Sequence, residues 1–347
     1  MSEFCSTHAV VLQELSKPLV FKELSIPRLA KGQVLVDVFY SGVCRSQLME
    51  QKGYRGHDPY LPHLLGHEGS GVVIDVGAGV TKVVPGDEVV LGWIRGEGID
   101  SGGTYYLDGN AFVNAGRIAT FATRAVVAEC CVFQKPKDLP RDLAVLFGCA
   151  LATGMGVVVN QITARKNDLV GVVGCGGIGM SAVVALISLG CRVVAIDPSE
   201  AKRNRCEEFG VEKYFDPSDE KFVEEFSSTY PGGLSQIVES GGSTLSIELA
   251  FSLLAKNGSL IFASHPPDGD YIRLKPHELI AGKSIAGSWG GGFKPDSDIG
   301  AIWDLIKGNQ WMLRTFISSE FRLSDVNAAF KALENGKILR PLLNCMI

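Results

Sequence analysis

The chain has 347 residues, of which 46% are hydrophobic and 20% are charged, and its formal net charge is −5. This length predicts two domains, and the negative charge argues against a nucleic-acid partner. The longest central apolar stretch, "SAVVALISLG", is too short to span a bilayer. The first residues, "MSEFCSTHAVVLQ", lack the pattern of a secretory signal, so we expect a cytoplasmic protein with no membrane partner.

The first third of the chain has the pattern of short strands separated by turns. The segment "GQVLVDVFYSGVC" predicts one strand, and "GSGVVIDVGAGVTKVVPGDEVVL" contains three short β-branched runs separated by Gly and Pro-Gly. Residues 96–116 are rich in Gly, Asn and Asp and are predicted to form a loop. This rhythm predicts a compact, barrel-like β domain.

Strands and helices alternate beyond residue 146. The segment "LVGVVGCGGIGMSAVVALISLG" predicts a strand, a glycine turn and an apolar helix, and "CRVVAIDPSEAKRNRCEEFG" predicts a strand and a helix closed by Gly210. Further strands are predicted at "SQIVESGG" and "GSLIFASHP", with a helix at "TLSIELAFSLLAKN" between them. The tail, "DVNAAFKALENGKILRPLLNCMI", predicts a helix and a final strand. The alternation predicts a parallel sheet with helices on both faces.

The glycine turn "GCGGIG" fits the dinucleotide-binding pattern G-x-G-x-x-G at Gly174, Gly176 and Gly179. The first glycine permits a tight turn, the second lets backbone N–H groups approach a pyrophosphate, and the third lets helix and strand pack closely. Asp197 ends the next predicted strand, where a carboxylate accepts hydrogen bonds from ribose hydroxyls and repels a 2′-phosphate. We therefore expect NAD as cofactor; the alternative is a glycine-rich turn that binds nothing.

Three separated residues are candidate metal ligands. Cys44 and Cys149 are two of nine cysteines, whose odd number and irregular spacing indicate thiols or metal ligands rather than a disulfide framework. His67 and Glu68 stand in "LLGHEGSG", but Gly71 excludes the zinc-protease pattern H-E-x-x-H. Two thiolates and one imidazole form a three-ligand zinc site with an open fourth position. Taken singly, each of these residues is more readily explained by packing.

Together, these motifs resemble those of the zinc-containing medium-chain dehydrogenases/reductases, alcohol dehydrogenase branch. The resemblance covers nearly the whole chain and rests on "GVCRS", "GHEGSGVV", "VPGDEVV", "GCALATG", "GGFKPDSD" and "NGKILR". It implies an α/β fold, in which a doubly wound Rossmann parallel sheet is joined to a GroES-like β-barrel domain. The catalytic, zinc-binding domain would comprise residues 1–150 and 291–347, and the NAD-binding domain residues 151–290.

The resemblance also implies a role for each site residue. Cys44, His67 and Cys149 would bind one catalytic zinc, with Glu68 beside it as an occasional alternate ligand. Ser46 would begin the proton relay. The cofactor-binding residues would be Arg45, Thr153, Gly174, Gly176, Gly177, Ile178, Gly179, Asp197, Lys202 and Arg340. For Arg45, Lys202 and Arg340, the residues alone indicate no more than solvated surface charges.

The sequence also departs from the family pattern. Residues 96–116 contain none of the four closely spaced cysteines that hold a structural zinc in many relatives, so we expect no structural zinc. Gln47 stands where relatives often have an Asp that supports the ligand shell, and we expect its amide oxygen to accept an N–H from His67. Met49 occupies the position of a relay histidine in some relatives. His57 and His63 are loop histidines to which we assign no role.

The expected reaction is hydride transfer between an alcohol, or an aldehyde or ketone, and NAD, in a cleft between the domains. A dehydrogenase of a sugar, a polyol or a sugar-derived intermediate is the close alternative, and a larger polar pocket would favour it. A metal-free quinone or enoyl reductase would not need the three ligands together. A catalytically silent NAD-binding regulator is the alternative of another class. By the resemblance, the chain is expected to form a homo-oligomer, a homodimer or a tetramer.

Overall fold

The computed structural model describes residues 6–267, 269–317, 319–336 and 338–346, so Cys5 lies outside the described residues. The chain forms two compact units. Unit 1 comprises Met1–Cys149, Lys294–Gly300 and Leu313–Ile347, and unit 2 comprises Ala150–Phe293 and Ala301–Met312.

The strands, in chain order, are β1 Ser6–Leu12, β2 Val20–Ser25, β3 Gln33–Gly42, β4 His63–Leu64, β5 Glu68–Val76, β6 Glu88–Gly92, β7 Thr104–Asp108, β8 Ala111–Ala115, β9 Arg124–Ala128, β10 Val132–Gln134, β11 Leu169–Val173, β12 Arg192–Ile196, β13 Lys213–Phe215, β14 Leu234–Glu239, β15 Leu254–Phe262, β16 Ser284–Gly287, β17 Glu320–Arg322 and β18 Leu342–Asn344.

The α-helices are α1 Arg45–Gln51, α2 Arg141–Ala144, α3 Ala150–Gly156, α4 Gly177–Ser188, α5 Glu200–Phe209, α6 Phe222–Thr229, α7 Thr244–Ser252, α8 Pro276–Ile280, α9 Pro295–Ile306, α10 Gln310–Arg314 and α11 Val326–Glu334. Short 3₁₀ turns occur at Glu129–Cys131, Val145–Gly148, Gly290–Gly292, Lys307–Asn309 and Leu323–Asp325, and a π turn at Val157–Gln161.

Unit 1 is a β structure with two cores. Strands β1, β2, β7, β8 and β4 close a barrel, and a second sheet has the order β10-β6-β5-β3-β18-β17, with β9 also paired to β3. Alternate residues of β1 enter different cores: Ala9 and Val11 join the barrel core, whereas Val10 and Leu12 join the core of the second sheet. The predicted barrel-like domain is confirmed.

Two local predictions in unit 1 are wrong. The middle run of "GVVIDVGAGVTKVVPGDEVVL" is not a strand, because the backbone N–H groups of Thr81 and Lys82 donate to the Glu129 carboxylate at 2.7 and 2.9 Å instead of to a strand partner. Residues 96–116 are not all loop, since β7 and β8 pair antiparallel in this region. The sequence signal for that hairpin is the Gly109–Asn110 pair, which forms a two-residue turn between the paired residues Asp108 and Ala111.

Unit 2 contains a six-stranded sheet in the order β13-β12-β11-β14-β15-β16, with every pair parallel. This confirms the predicted doubly wound sheet. Strand order reverses between β11 and β14, so the carboxyl ends of these two strands flank the point where such folds bind ligands. The predicted helix at "TLSIELAFSLLAKN" is too long, because α7 ends at Ser252 and the chain from Leu254 already pairs with β14.

The predicted domain bounds placed residues 291–347 together, whereas the structure divides this segment between the two units. Ala301–Met312 belongs to unit 2. There, Trp311 meets the ring of Phe209 edge-on at 5.5 Å, and Asn309 donates to the Ser188 hydroxyl at 2.9 Å. These contacts hold the segment on unit 2.

No single helix in the described part of the chain combines the length and the apolar composition needed to cross a membrane; Arg141–Gly148 and Ala150–Gln161 would reach that length only as a bent pair.

Candidate active site

Three segments of unit 1 converge where strands end. Strands β3 and β5 run antiparallel with Ser41 opposite Gly69, so Cys44, just after β3, and His67, just before β5, lie at the same end of the pair. The third segment reaches this point through Gly148, whose carbonyl accepts the N–H of Trp93 at 3.3 Å. The next residue is Cys149.

The side chains of Cys44, His67 and Cys149 are brought together as predicted, with their donor atoms all within 4.8 Å of one another. The two sulfurs are 3.9 Å apart, and the His67 Nε2 atom is 3.3 Å from the Cys149 sulfur. A tetrahedral zinc site requires a sulfur–sulfur distance of about 3.8 Å and a sulfur–nitrogen distance of about 3.6 Å. The donor types and the spacing therefore fit zinc.

The electrostatics of this cluster favour a bound cation. A hydrogen bond from the Cys149 thiol holds the pKa of Cys44 well below its ordinary value, and Arg340 and His67 act in the same direction against burial. The same hydrogen bond and burial raise the pKa of Cys149 well above its ordinary value. Burial lowers the pKa of His67, but Cys44 and Glu68 together outweigh it, so that the pKa is raised. A dication held by these three side chains would offset the thiolate charge.

Glu68 and Arg340 form a buried ion pair beside this cluster. Glu68 is fully buried and Arg340 is 5% exposed, and their side chains meet at 2.9 Å. Burial raises the pKa of Glu68 to about 7, although Arg340 opposes this. The second carboxylate oxygen of Glu68 has no hydrogen-bond partner among the described residues. One carboxylate oxygen of Glu68 is therefore available as a metal ligand. The pyrophosphate contact assigned to Arg340 stays a prediction.

The Gln47 side chain does not bond as expected. Its Oε1 atom accepts the backbone N–H of Cys44 at 3.0 Å, at the start of α1, rather than an N–H of His67. Its amide nitrogen is buried without a partner among the described residues. The predicted bond to His67 is wrong because the helix start offers a nearer unpaired donor. Ser46 and Arg45 lie on the first turn of the same helix, half-buried and exposed respectively.

A cavity of about 680 Å³ within unit 1 is lined by both His67 and Gln47. Its wall also contains Glu50, Asp58 and His63, which the sequence reasoning did not assign to a site. The imidazole of His63 meets the carboxylate of Asp58 at 2.8 Å. A signal was present, since a carboxylate and a histidine lie five residues apart in "HDPYLPHLLGHE".

In unit 2, the glycine turn has the geometry that the fingerprint predicts. Gly174 has a φ of 84°, in the region that favours glycine. A Cβ atom at Gly179 would lie 1.8 Å from the Gly174 carbonyl oxygen, so helix α4 packs too closely for any side chain there. A Cβ at Gly176 would meet nothing within 4 Å. The turn is therefore open at its middle position, where a phosphate would approach.

Asp197 and Lys202 lie on the wall of a second cavity, of about 530 Å³, with Gly174. Asp197 is 3% exposed, accepts the Cys175 backbone N–H at 2.8 Å, and pairs with the Lys202 ammonium at 2.8 Å. The carboxylate is thus fixed beside the glycine turn. Among the other predicted cofactor residues, Gly177 and Ile178 are half-buried on the first turn of α4, and Thr153 is buried on α3.

Comparisons with known proteins agree with this architecture. Residues 30–137 match the family model described as the alcohol dehydrogenase GroES-like domain, and residues 177–308 match that of zinc-binding dehydrogenases. A putative alcohol dehydrogenase D of Mycobacterium tuberculosis is 30% identical over 97% of this chain and 99% of its own length. The S-(hydroxymethyl)glutathione dehydrogenase of Saccharomyces cerevisiae is 28% identical, with 96% and 95% covered.

Among solved structures, an alcohol dehydrogenase zinc-binding domain protein from Burkholderia ambifaria has a TM-score of 0.89 at 24% identity, with 99% of each chain covered. This likeness shows the fold of the chain from end to end. Because both family models match in the expected order, and because a relative of 30% identity is covered almost completely, this chain belongs to the zinc-containing medium-chain dehydrogenases/reductases.

Proposed function

We infer that this zinc-dependent oxidoreductase transfers a hydride between an alcohol, or the corresponding aldehyde or ketone, and NAD. The observation that carries the proposal is the convergence of the Cys44 and Cys149 sulfurs on the His67 imidazole. The names of the relatives, alcohol dehydrogenase and S-(hydroxymethyl)glutathione dehydrogenase, support an alcohol substrate. We propose that this cluster, which holds both of its sulfur ligands within reach of one imidazole, binds one catalytic zinc per chain.

In the proposed site, Cys44, His67 and Cys149 hold the zinc, which when bound supplies a Lewis acid for the substrate oxygen. Two thiolates reduce the charge of the site, so that a neutral product can leave. Glu68, with one carboxylate oxygen free among the described contacts, is the proposed alternate ligand. Ser46, two residues after Cys44 and half-buried, is proposed to accept the proton of the alcohol.

The proposed cofactor site lies in unit 2, which would be the NAD-binding domain, while unit 1 would be the catalytic domain. NAD accepts the hydride when it is bound. The open glycine turn would take the pyrophosphate against the backbone of Gly176, Gly177, Ile178 and the N-terminus of α4. Asp197 and Lys202 would hold the adenosine ribose, and Asp197 would exclude a 2′-phosphate. Thr153, Arg45 and Arg340 remain proposed contacts of the cofactor.

A polyol or sugar-derived substrate is a second candidate, and the lining of the unit 1 cavity favours it. Besides His67, the polar residues Thr104, Asn114 and Arg117 line this cavity. Such groups bind several hydroxyls better than an alkyl chain. Activity with polyols that exceeds activity with matched simple alcohols would select this candidate.

Nicotinamide absorbance with a panel of alcohols and polyols, using NAD or NADP, tests the function directly. Cys44→Ser should lose both the zinc and the activity, because only two of the three ligands remain. Cys191→Ser is the matched control, since Cys191 is a buried thiol of unit 2 outside the cluster. It should keep about one zinc per chain. Full activity in Cys44→Ser would refute the proposal.

The proposed setting is cytoplasmic, and the proposed assembly is a homodimer or a tetramer. Every cysteine in the described part of the chain is a free thiol, which suits a reducing compartment. Strand β16 ends the unit 2 sheet with mostly exposed residues, so a second copy could pair there. Light scattering of the purified protein would distinguish monomer, dimer and tetramer.

A further inference from the structure

A second cluster of metal-binding side chains lies in unit 1. Glu50 is on α1, Asp58 is in the loop that follows, and His63 is on β4. The His63 Nε2 atom is 2.8 Å from one oxygen of Asp58 and 3.7 Å from one of Glu50. The donor atoms of the three side chains lie within 4.8 Å of one another, and His63 is only 7% exposed.

The hydrogen bonds of His63 leave its Nε2 atom in an unusual position. The other ring nitrogen, Nδ1, is 2.9 Å from the carbonyl oxygen of Leu64, which can only accept, so Nδ1 carries a hydrogen. In the neutral ring, Nε2 then presents a lone pair. That lone pair faces the oxygens of Asp58 and Glu50, and such a contact is repulsive unless a cation lies among the three atoms. The cation is either a proton on Nε2 or a metal ion.

We propose that Glu50, Asp58 and His63 bind a divalent transition-metal ion, separate from the zinc held by the two cysteines. One imidazole nitrogen with two carboxylates suits Mn²⁺ or Zn²⁺ better than Ca²⁺ or Mg²⁺. The ion would accept the lone pair of Nε2 and offset the negative charge of both carboxylates.

The surroundings of the cluster hold its donors in place. The Nδ1 bond to Leu64 fixes the tautomer of His63, as in known metal-binding histidines. The second oxygen of Asp58 accepts the backbone N–H of Tyr60 at 2.9 Å, which orients that carboxylate. All three donors line the cavity of about 680 Å³, so an ion could enter and keep open positions for water.

One nearby cation competes for this site. Arg55 lies 3.6 Å from the carboxylate of Glu50, but its side chain is 55% exposed. An exposed ion pair of this kind is weak and can be displaced. The ligand atoms of Glu50, Asp58 and His63 are oxygen and nitrogen, whereas the cluster of Cys44, His67 and Cys149 offers two sulfurs. Mn²⁺ therefore prefers the second cluster, while zinc keeps the first.

To test the proposal, the protein is loaded with about one equivalent of zinc and then titrated with Mn²⁺, while the electron paramagnetic resonance signal of the free Mn²⁺ is measured. We expect saturable uptake of about one Mn²⁺ per chain, reversed by added Zn²⁺. His63→Gln and Asp58→Asn should each weaken Mn²⁺ binding by at least about tenfold, since each removes a ligand. His57→Gln is the matched control: the residue is exposed, lies beside Asp58 and should leave binding unchanged.

The controls separate this site from the zinc site. Circular dichroism checks that each variant is folded, and Asp58→Asn decides the test if His63→Gln does not fold. Cys44→Ser should lose zinc but retain Mn²⁺ binding, so failure of the proposed function leaves this result intact. The proposal is overturned if the wild type shows no saturable uptake, or if Asp58→Asn binds Mn²⁺ as the wild type does. In either case the cluster of Glu50, Asp58 and His63 holds no metal ion.

Discussion

Gly148→Ala tests whether close backbone packing places the third zinc ligand. A Cβ atom at position 148 would lie 2.4 Å from the Leu91 carbonyl oxygen and 2.7 Å from the Glu68 Cα atom. Ordinary contact begins at 3.4 Å, so the segment must retreat by about 1 Å (3.4 − 2.4). Metal–ligand distances tolerate only about 0.2 Å. The next residue, Cys149, would therefore be drawn away from the zinc position.

Competition of the protein with a chromogenic zinc chelator measures the effect. We expect Gly148→Ala to bind zinc at least about tenfold more weakly than the wild type, with a loss of about 1–3 kcal/mol in the free energy of unfolding. Gly300→Ala is the matched control, because a Cβ at this position in α9 meets nothing within 4 Å. Equal zinc affinity in the two variants would refute the idea that the approach of residue 148 positions the ligand.

Three further predictions concern stability and cofactor binding. Glu129→Gln should cost about 3 kcal/mol in urea unfolding at pH 7, because its carboxylate accepts three backbone N–H bonds of 2.7–2.9 Å. Burial raises the pKa of Glu129, but those bonds lower it overall. The advantage of the wild type is thus full above the unfolded pKa of about 4.3 and shrinks as pH falls through the folded value; a pH-independent difference would contradict this. Gly176→Ala should keep its stability but bind NAD at least about tenfold more weakly, whereas Gly179→Ala should lose about 1–3 kcal/mol of stability; calorimetry with and without NAD checks both, and unchanged NAD binding in Gly176→Ala would place the phosphates elsewhere. Arg340→Met should cost about 3–5 kcal/mol in unfolding, because it leaves the Glu68 carboxylate buried and unpaired. Adding Glu68→Gln should recover part of that loss, and no recovery would mean that the ion pair is not its source.

The predictable part of the site is the part that follows from strands and turns. The pattern of "GQVLVDVFYSGVC" predicts a strand that ends near Cys44, and the glycines around His67 predict a turn before the next strand. Antiparallel pairing then brings the two ends together. The glycine turn and Asp197 were predictable for the same reason, since each follows a parallel strand at the same edge of the sheet. Cys149 was a candidate by residue type alone until the family motif grouped it with the other two ligands, because no periodicity connects it to β3 or β5.

The site contacts that could not be predicted are side-chain pairs whose members lie far apart in the sequence or have several possible partners. Arg340 and Glu68 are 272 positions apart, so nothing local indicates that they pair. Gln47 has two possible partners, and its choice of the Cys44 N–H depends on the start of α1. For His63, the spacing from Asp58 was only a weak signal, because the fold also has to bring the carboxylate of Glu50 beside it. Arg340, Gln47 and His63 are all buried in the fold, and the neighbours that burial gives each side chain determine its contacts.

The lobe formed by residues 96–116 shows how the fold can compensate for missing ligands. In many relatives, this region is held by four cysteines and a structural zinc, whereas here its strands β7 and β8 join the barrel. Tyr106 is fully buried, and its hydroxyl accepts the N–H of Val126 at 2.7 Å. Asp100 pairs with Arg95 and Arg117 at the base of the lobe. Strand pairing, a buried aromatic ring and carboxylate contacts thus order the lobe without cysteine ligands, and the absence of a structural zinc from it stays a prediction, which metal analysis of the purified protein would test.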